Sequence, residues 1–344
     1  MATTMQAHVI TAHGKRMKLT AVAIPQPGPR EVLIRVAAFG VCHSDIHAVD
    51  GDWLPPSTTP LIPGHEITGR VVAHGQGVTA PAVGTAVGVA WLGGACQHCE
   101  QCLNGMETIC AEAVSTGYSR DGGYAEYVTA RADYLAIIPE GIDLVRLAPV
   151  LCAGVTTYRG LKLSGARAGQ FVGVVGVGGL GHIAIHYARA MGFRPVAIDI
   201  DSSKLELARR VGAEMVFDSR SEGTKAVLAA TGGGCHAALV TATAPQAFEQ
   251  AVEVTRLAGT TVFIGVPSAA HDKVQLSVSN IVGAERVIRG SNVGSRLDLQ
   301  QAVDFAVRGL IVPEVEEVDF TQAAAVLDRL RNGRVAGRLV LRLS

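Results

Sequence analysis

What this chain of 344 residues lacks narrows its function before any motif is considered. It carries no net charge, with Lys plus Arg and Asp plus Glu at 30 each, and it has no basic run. The electrostatic footprint that nucleic acid or an anionic membrane surface requires is therefore missing. Long apolar runs are also missing: the longest, near Phe171 to Ile185, is broken by five glycines, which excludes it as a membrane-spanning helix. Met1 to His8 lacks the charged-then-apolar pattern of a secretory signal, so the expected compartment is the cytoplasm. No internal repeat, low-complexity tract or Pro/Gly/Ser linker divides the chain. With 48% apolar residues, it can bury the cores of roughly two domains.

Seven cysteines are present, an odd number, and three lie within Cys96 to Cys102, too crowded for three separate disulfide partners nearby. Metal ligation explains them better. Cys96, Cys99 and Cys102 are followed after seven residues by Cys110, a spacing that wraps four thiolates around one tetrahedral ion. A bacterial-type iron–sulfur cluster needs its fourth cysteine after three residues with a proline behind it, whereas Ala111 follows here. A redox CxxC pair would want an electropositive helix N-terminus, for which nothing argues. Structural zinc is the expectation, with His98 a spectator.

The first part of the chain reads as β structure. Ala7–Thr11, Leu19–Ile24 and Glu31–Ala37 are strand-like, with a Pro25–Pro29 turn, and residues 67–88 continue in short Val-rich runs punctuated by glycine. On the loops of this β-rich part stand Gly40-Val-Cys-His-Ser-Asp-Ile-His47 and Pro63-Gly-His-Glu66, with Cys152 far downstream. Cys42, His65 and Cys152 make a two-thiolate, one-imidazole set, which leaves a fourth tetrahedral position open, as catalytic zinc requires. Taken singly, each is as readily a buried thiol or a hydrogen-bonded histidine.

After Pro149 strands and helices alternate, the signature of βαβ units and a parallel sheet. Phe171–Val175 is a short apolar strand, and Gly176-Val-Gly178-Gly179-Leu180-Gly181 follows it directly. This opens a helix with Leu180, Ile183, Ala184, Tyr187, Ala188 and Met191 at helical spacing. A second strand, Pro195–Asp199, ends on an acid about 20 residues further on, as the dinucleotide fingerprint demands. The glycines allow the tight turn, the approach of pyrophosphate and the close packing of helix on strand; the helix N-terminus holds the phosphates. Asp199 would accept from the adenosine ribose and repel a 2′-phosphate, which favours NAD over NADP; Asp201 is an alternative, and Lys204 is expected nearby. Strands over 237–242 and 260–266 extend the sheet. His182 and His186 are read as ordinary helix residues and Cys235 as a structural thiol. Helices over 297–308 and 323–331 and a strand over 337–342 close the chain.

Together these motifs resemble the zinc-containing medium-chain alcohol dehydrogenases, within them the tetrameric microbial and yeast-like branch. The resemblance rests on Gly40–Ala48, Gly64-His-Glu-x-x-Gly69 with Gly75, the Cys96–Cys110 lobe, Leu151–Thr156, Gly176–Gly181 and Gly337-Arg338, and covers nearly the whole chain. It implies a fold of class α/β plus β: a GroES-like β-rich catalytic domain over 1–152 with a structural zinc lobe at about 92–111, an inserted Rossmann NAD-binding domain over 153–292, and a C-terminal return to the catalytic domain over 293–344, with the active site in the cleft between them. It further implies two zinc ions per chain, a homotetramer, and small alcohols and aldehydes as the substrate and product.

The resemblance also implies roles for residues. Cys42, His65 and Cys152 match the catalytic zinc ligands, Glu66 stands beside the metal, and Asp45 orients His65. Zinc as a Lewis acid acidifies the alcohol so that hydride can pass to the nicotinamide, and Ser44 passes the released proton by way of the nicotinamide ribose to His47, a residue type that titrates near neutrality. His43 stands where some members carry arginine against the pyrophosphate. Arg338 matches the other pyrophosphate contact, Ile264, Val266, Ser291 and Val293 match the segments that hold the carboxamide, and Thr156 and Leu180 support the ring. Trp53 and Trp91, the only two tryptophans, line and narrow the alcohol pocket. The expected reaction is therefore NAD-linked oxidation of primary alcohols. The rivals are a polyol or other secondary-alcohol dehydrogenase of the same superfamily and a dinucleotide-binding protein without catalysis.

Overall fold

Short valine-rich runs can bury a sheet only by curling it, and the N-terminal part of the chain does so around one long strand, Glu31–Gly40. The computed structural model describes residues 3–53, 55–333 and 335–343. Along one side of Glu31–Gly40 runs Ile67–His74, antiparallel, with register shifts between Leu33 and Ile34 and between Val36 and Ala38. Its other side is shared: Tyr127–Arg131 pairs with its first half and Arg338–Arg342 with its last residues. Ala86–Val89, Ala136–Ile137 and Val315–Asp319 complete this sheet. Burial on both faces, rather than the alternation of a one-sided sheet, marks the central strand, and Ile34, Phe39, Ile67 and Tyr124 are fully buried beside it. Thr4–Val9 and Lys18–Ala23 form a separate antiparallel pair. Both begin and end earlier than the sequence pattern suggests, by up to three residues.

The second part is a six-stranded parallel sheet in the order Met215–Asp218, Arg194–Asp199, Phe171–Val175, Cys235–Val240, Thr255–Phe263, Val287–Gly290. The first strand in sequence lies in the middle and the order reverses beside it, the switch point at whose carboxyl end dinucleotides bind in sheets of this topology. The helix Gly181–Ala190 packs on the sheet through Ile183, Ala184, Tyr187 and Ala188, all fully buried.

The chain divides into two units by its internal contacts. One comprises Met1–Val155, Gly294–Val307 and Pro313–Ser344; the other comprises Thr156–Val293 and Arg308–Val312. The C-terminal helices Arg296–Val307 and Ala323–Arg331 and the strand Arg338–Arg342 thus belong with the N-terminal unit, while the turn of residues 308–312 joins the parallel-sheet unit. Among the described residues no helix is long and apolar enough to cross a membrane.

Candidate active site and metal centres

Cys42 sits where the central strand ends and a helix, His43–Asp50, begins. The sequence pattern predicts a loop for this motif, but Cys42 is the N-cap, in extended conformation, and its amide donates to Asp45 Oδ2 at 2.9 Å. An acid three residues past a cap satisfies an otherwise orphaned amide and so starts a helix. His65 and Glu66 lead directly into the strand Ile67–His74, and Cys152 follows the 3₁₀ turn Ala148–Leu151. Three element ends therefore converge. Ligand atoms of Cys42, His65, Glu66 and Cys152 all lie within 4.8 Å of one another, and every one of these residues is buried. The two thiols are 3.9 Å apart.

The electrostatics suit a cation. Among the described residues His65 Nε2 and Nδ1 are buried without a hydrogen-bond partner, a costly state that a metal bond at Nε2 would relieve. Asp45 Oδ1 faces Nδ1 at 3.4 Å. Burial alone would lower the His65 pKa, but Asp45 and the Cys42 thiolate outweigh it and raise it to about 10. The Cys152 thiol beside it lowers Cys42 well below an ordinary thiol, and Cys152 rises in turn. Binding a metal here would displace protons, as thiolate and imidazole ligation must. The donor set, two thiolates and one imidazole, fits zinc with a position left open.

Asp45 is held by a residue the sequence reading did not single out. Tyr124, fully buried and stacked on Phe39 at 4.3 Å, donates its hydroxyl to Asp45 Oδ2 at 2.9 Å. Glu66 is also not alone: its Oε1 takes the guanidinium of Arg338, which donates as well to Val41 O at 3.0 Å. Burial raises the Glu66 carboxyl to about 7 against the pull of Arg338. Both contacts of Arg338, the residue that the resemblance assigns to the pyrophosphate, run through its Nη2. Neither pairing has a local sequence signal, since the partners are far apart in the chain.

Ser44 Oγ lies 3.6 Å from Cys42 Sγ. His47, three residues on along the same helix, stacks on Trp53 at 4.3 Å and meets Asp52 Oδ1 through Nδ1 at 2.7 Å. Trp91 stands edge-on to the His65 ring at 4.9 Å and 6.3 Å from Trp53, and Tyr118 leans on both indoles. Aromatic faces therefore line one side of the buried ligand set. Tyr118 and Asp52 are further residues that sequence reasoning missed. His43 is exposed on the first turn.

The second cysteine cluster is compact. Cys96, Cys99, Cys102 and Cys110 bring their sulfurs within 4.8 Å, with Cys96–Cys102 and Cys99–Cys110 each at 3.8 Å. Amides near Cys96 lower its thiol to about 6, and desolvation pushes Cys102 up to about 12. His98, exposed, turns its Nδ1 to Cys96 O at 2.9 Å; it also falls, with Glu112, within ligand range of Cys96. All seven cysteines are free thiols; burial pushes the seventh, Cys235, up to about 12, and among the described residues it belongs to no cluster of three or more metal-ligating side chains.

In the parallel-sheet unit, Gly176 takes φ +93° at the end of the first strand, and a side chain on Gly181 would strike Gly176 O at 2.0 Å. Beside Gly178 the space is open, so a ligand can approach the backbone there. Gly179 and Leu180 complete the turn into the helix. Asp199 is anchored tightly: Oδ2 accepts from Val177 N at 2.6 Å, and Oδ1 accepts from Ile200 N and Asp201 N at 2.7 and 3.0 Å. It thereby ties the glycine turn to the end of the second strand while keeping acceptor capacity. Asp201 instead caps the helix Ser202–Arg210, on which Lys204 is half-buried. Ile264, Val266, Ser291 and Val293 follow the carboxyl ends of the last two strands, Ser291 N donating to Phe263 O at 3.0 Å. Val293 adopts φ +39°, a strained conformation for a β-branched residue. Thr156 Oγ1 and Ser291 Oγ are buried without partners among the described residues.

Known proteins agree with this architecture. A sequence family described as the alcohol dehydrogenase GroES-like domain matches residues 28–140, and one described as zinc-binding dehydrogenase matches residues 179–308. An alcohol dehydrogenase of Geobacillus stearothermophilus is 44% identical over 339 residues, covering 98% of this chain and 99% of its own length. Among solved structures, acetophenone reductase from Geotrichum candidum in complex with NAD superposes with a TM-score of 0.89 at 29% identity, over 100% of this chain and 98% of that one. CAD from Helicobacter pylori complexed with NADP(H) gives 0.89 at 27% identity, over 99% of both. With a GroES-like domain, a Rossmann sheet and two convergent thiolate clusters, the chain belongs to the zinc-containing medium-chain alcohol dehydrogenases, oxidoreductases that use zinc and a nicotinamide cofactor.

Proposed function

We propose that the protein is an NAD-linked dehydrogenase that reversibly oxidises primary alcohols, short aliphatic or flat aromatic, to aldehydes. It holds one zinc at Cys42, His65 and Cys152 for chemistry and one at Cys96, Cys99, Cys102 and Cys110 for structure. When bound, zinc supplies Lewis-acid polarisation of the alcohol oxygen and the nicotinamide accepts hydride. The observation that carries the reading is the buried convergence of Cys42, His65 and Cys152, with His65 Nε2 unpartnered among the described residues and aromatic rings alongside.

The chain's own residues do the rest. Asp45 orients His65; Glu66, paired with Arg338, keeps a carboxylate beside the ligand set. Ser44 removes the alcohol proton from an otherwise dry place and His47 receives it on the way to solvent. Trp53, Trp91 and Tyr118 exclude water and leave a slot that favours an unbranched carbinol carbon. The Gly176–Gly181 turn and the following helix N-terminus bind pyrophosphate, and Asp199 favours NAD by opposing a 2′-phosphate. His43, Lys204, Thr156, Ile264, Val266, Ser291 and Val293 contribute the remaining cofactor contacts. Homotetramer assembly rests on the branch resemblance, and a cytoplasmic location fits seven cysteines held as free thiols.

The test is zinc per chain together with NADH formation on a primary alcohol, for wild type and Cys42→Ala. Zinc falling from two per chain to one with loss of turnover supports the assignment. Retention of both zinc and rate in the variant would refute it.

A further inference from the structure

The proposed relay ends on His47, and the surroundings of that ring support an inference that rests on this reading. The helix His43–Asp50 stops at Gly51, whose φ of +68° reverses the chain while its amide donates to His47 O at 2.8 Å. The next residue therefore folds back onto the helix it has just left. Asp52 Oδ1 comes within 2.7 Å of His47 Nδ1, and Trp53 lies flat on the imidazole with 18° between the planes. A carboxylate can only accept, so Nδ1 carries the hydrogen and Nε2 keeps its lone pair. The histidine side chain is 11% exposed and the aspartate 36%, so the pair runs from the interior outward to water.

We propose that Asp52 is a positioning residue of the relay, holding His47 in the one tautomer whose Nε2 accepts the alcohol proton and stabilising the imidazolium that results. The proton balance is simple. Nε2 gains the proton released from the substrate hydroxyl, Nδ1–H stays bonded to Asp52, and Nε2 then releases the proton to solvent, returning the ring to neutrality. Other charges nearby are already engaged. Asp50 on the same helix is ion-paired with Arg331 of the helix Ala323–Arg331, which packs against it and also bears Asp328. The Tyr118 hydroxyl donates to Pro55 O, and His13, against Gly51, bonds to Ser57. Asp52 is the carboxylate aimed at the ring.

The experiment measures kcat/KM for alcohol oxidation from acid to alkaline pH in wild type, Asp52→Ala, Asp52→Glu, His47→Ala and the Asp52→Ala/His47→Ala double variant, with zinc content and NAD affinity followed in each. Asp52→Ala is expected to lower kcat/KM roughly tenfold near neutral pH, a part of the range that general acid–base catalysis spans, and to move the rising limb of the profile to lower pH. Asp52→Glu should restore most of the rate, and the second substitution should add nothing to His47→Ala. A wild-type rate and profile in Asp52→Ala, with His47→Ala impaired, would overturn this inference and leave the relay standing. An unaffected His47→Ala would overturn both. Full additivity with an unmoved limb would reduce Asp52 to a structural role and overturn the inference as well.

Discussion

Tyr124→Phe removes a single oxygen from the support of the candidate catalytic zinc site and leaves everything else in place. The ring keeps its stack on Phe39 and its packing against Gly64, because only the hydroxyl reaches Asp45. Asp45 Oδ2 would then keep one donor, the Cys42 amide, and at 1% exposure the carboxylate cannot recruit water to replace the other. A hydrogen bond to a charged group contributes about 1.5–3 kcal/mol. If the carboxylate tilts to recover a donor, Oδ1 leaves His65 Nδ1, now 3.4 Å away, and the imidazole loses the partner that fixes its orientation. Loss of such outer support typically costs about 10- to 100-fold in metal affinity, which at about 1.4 kcal/mol per tenfold matches the hydrogen-bond estimate. The assay is the rate of zinc release to a chromogenic chelator. A zinc at the proposed structural site, Cys96, Cys99, Cys102 and Cys110, would serve as an internal control in the same molecule, because none of these four cysteines touches Asp45. The variant should release one zinc 10- to 100-fold faster, by the same estimate, and the other at the wild-type rate. Unchanged release of both, in a protein of unchanged fold, would show that Tyr124 does not support the site and that Asp45 is held well enough by Cys42 alone.

Further outcomes follow from the same geometry. Asp199→Ala should shift the kcat/KM ratio for NAD over NADP toward NADP by about tenfold. It should also cost about 1–3 kcal/mol in the cofactor-free protein, because Val177 N loses its acceptor; denaturant unfolding and a cofactor comparison read the two effects separately, and an unmoved ratio would disprove the ribose role. Trp53→Ala should raise turnover of a branched secondary alcohol relative to a primary one by about tenfold, as relief of a steric pocket does, and a ratio that stays constant would mean the indole does not bound the substrate. Burial lowers the pKa of His8, despite its bond to Phe320 O, so the folded protein resists protonation there more than the unfolded chain does. Stability should therefore be insensitive to this group above about pH 6.5 and decline below it, where the unfolded chain takes up the proton first. His8→Gln should flatten that decline in a plot of Tm against pH; a slope equal to wild type would show that His8 is not responsible.

Much of this protein was determined by short-range pattern. The Cys96–Cys110 cluster and the Gly176–Gly181 turn are legible because their chemistry lies within one local segment, where chain geometry leaves few alternatives. The helix over 323–331 was legible for a similar reason: apolar spacing predicts a face that must be buried. Element boundaries were less so, because strands such as Glu31–Gly40 are extended by pairing with partners far away in sequence. Tertiary structure alone decided the rest. That Cys42 starts a helix, that Tyr124 supports Asp45, that Arg338 lies against Glu66 and that Asp52 turns back onto His47 all depend on where element ends meet. Sequence spacing carries the identity of a ligand, but burial decides its partners: once water is excluded, each charge or donor must find one within reach, and only the folded chain determines which groups those are.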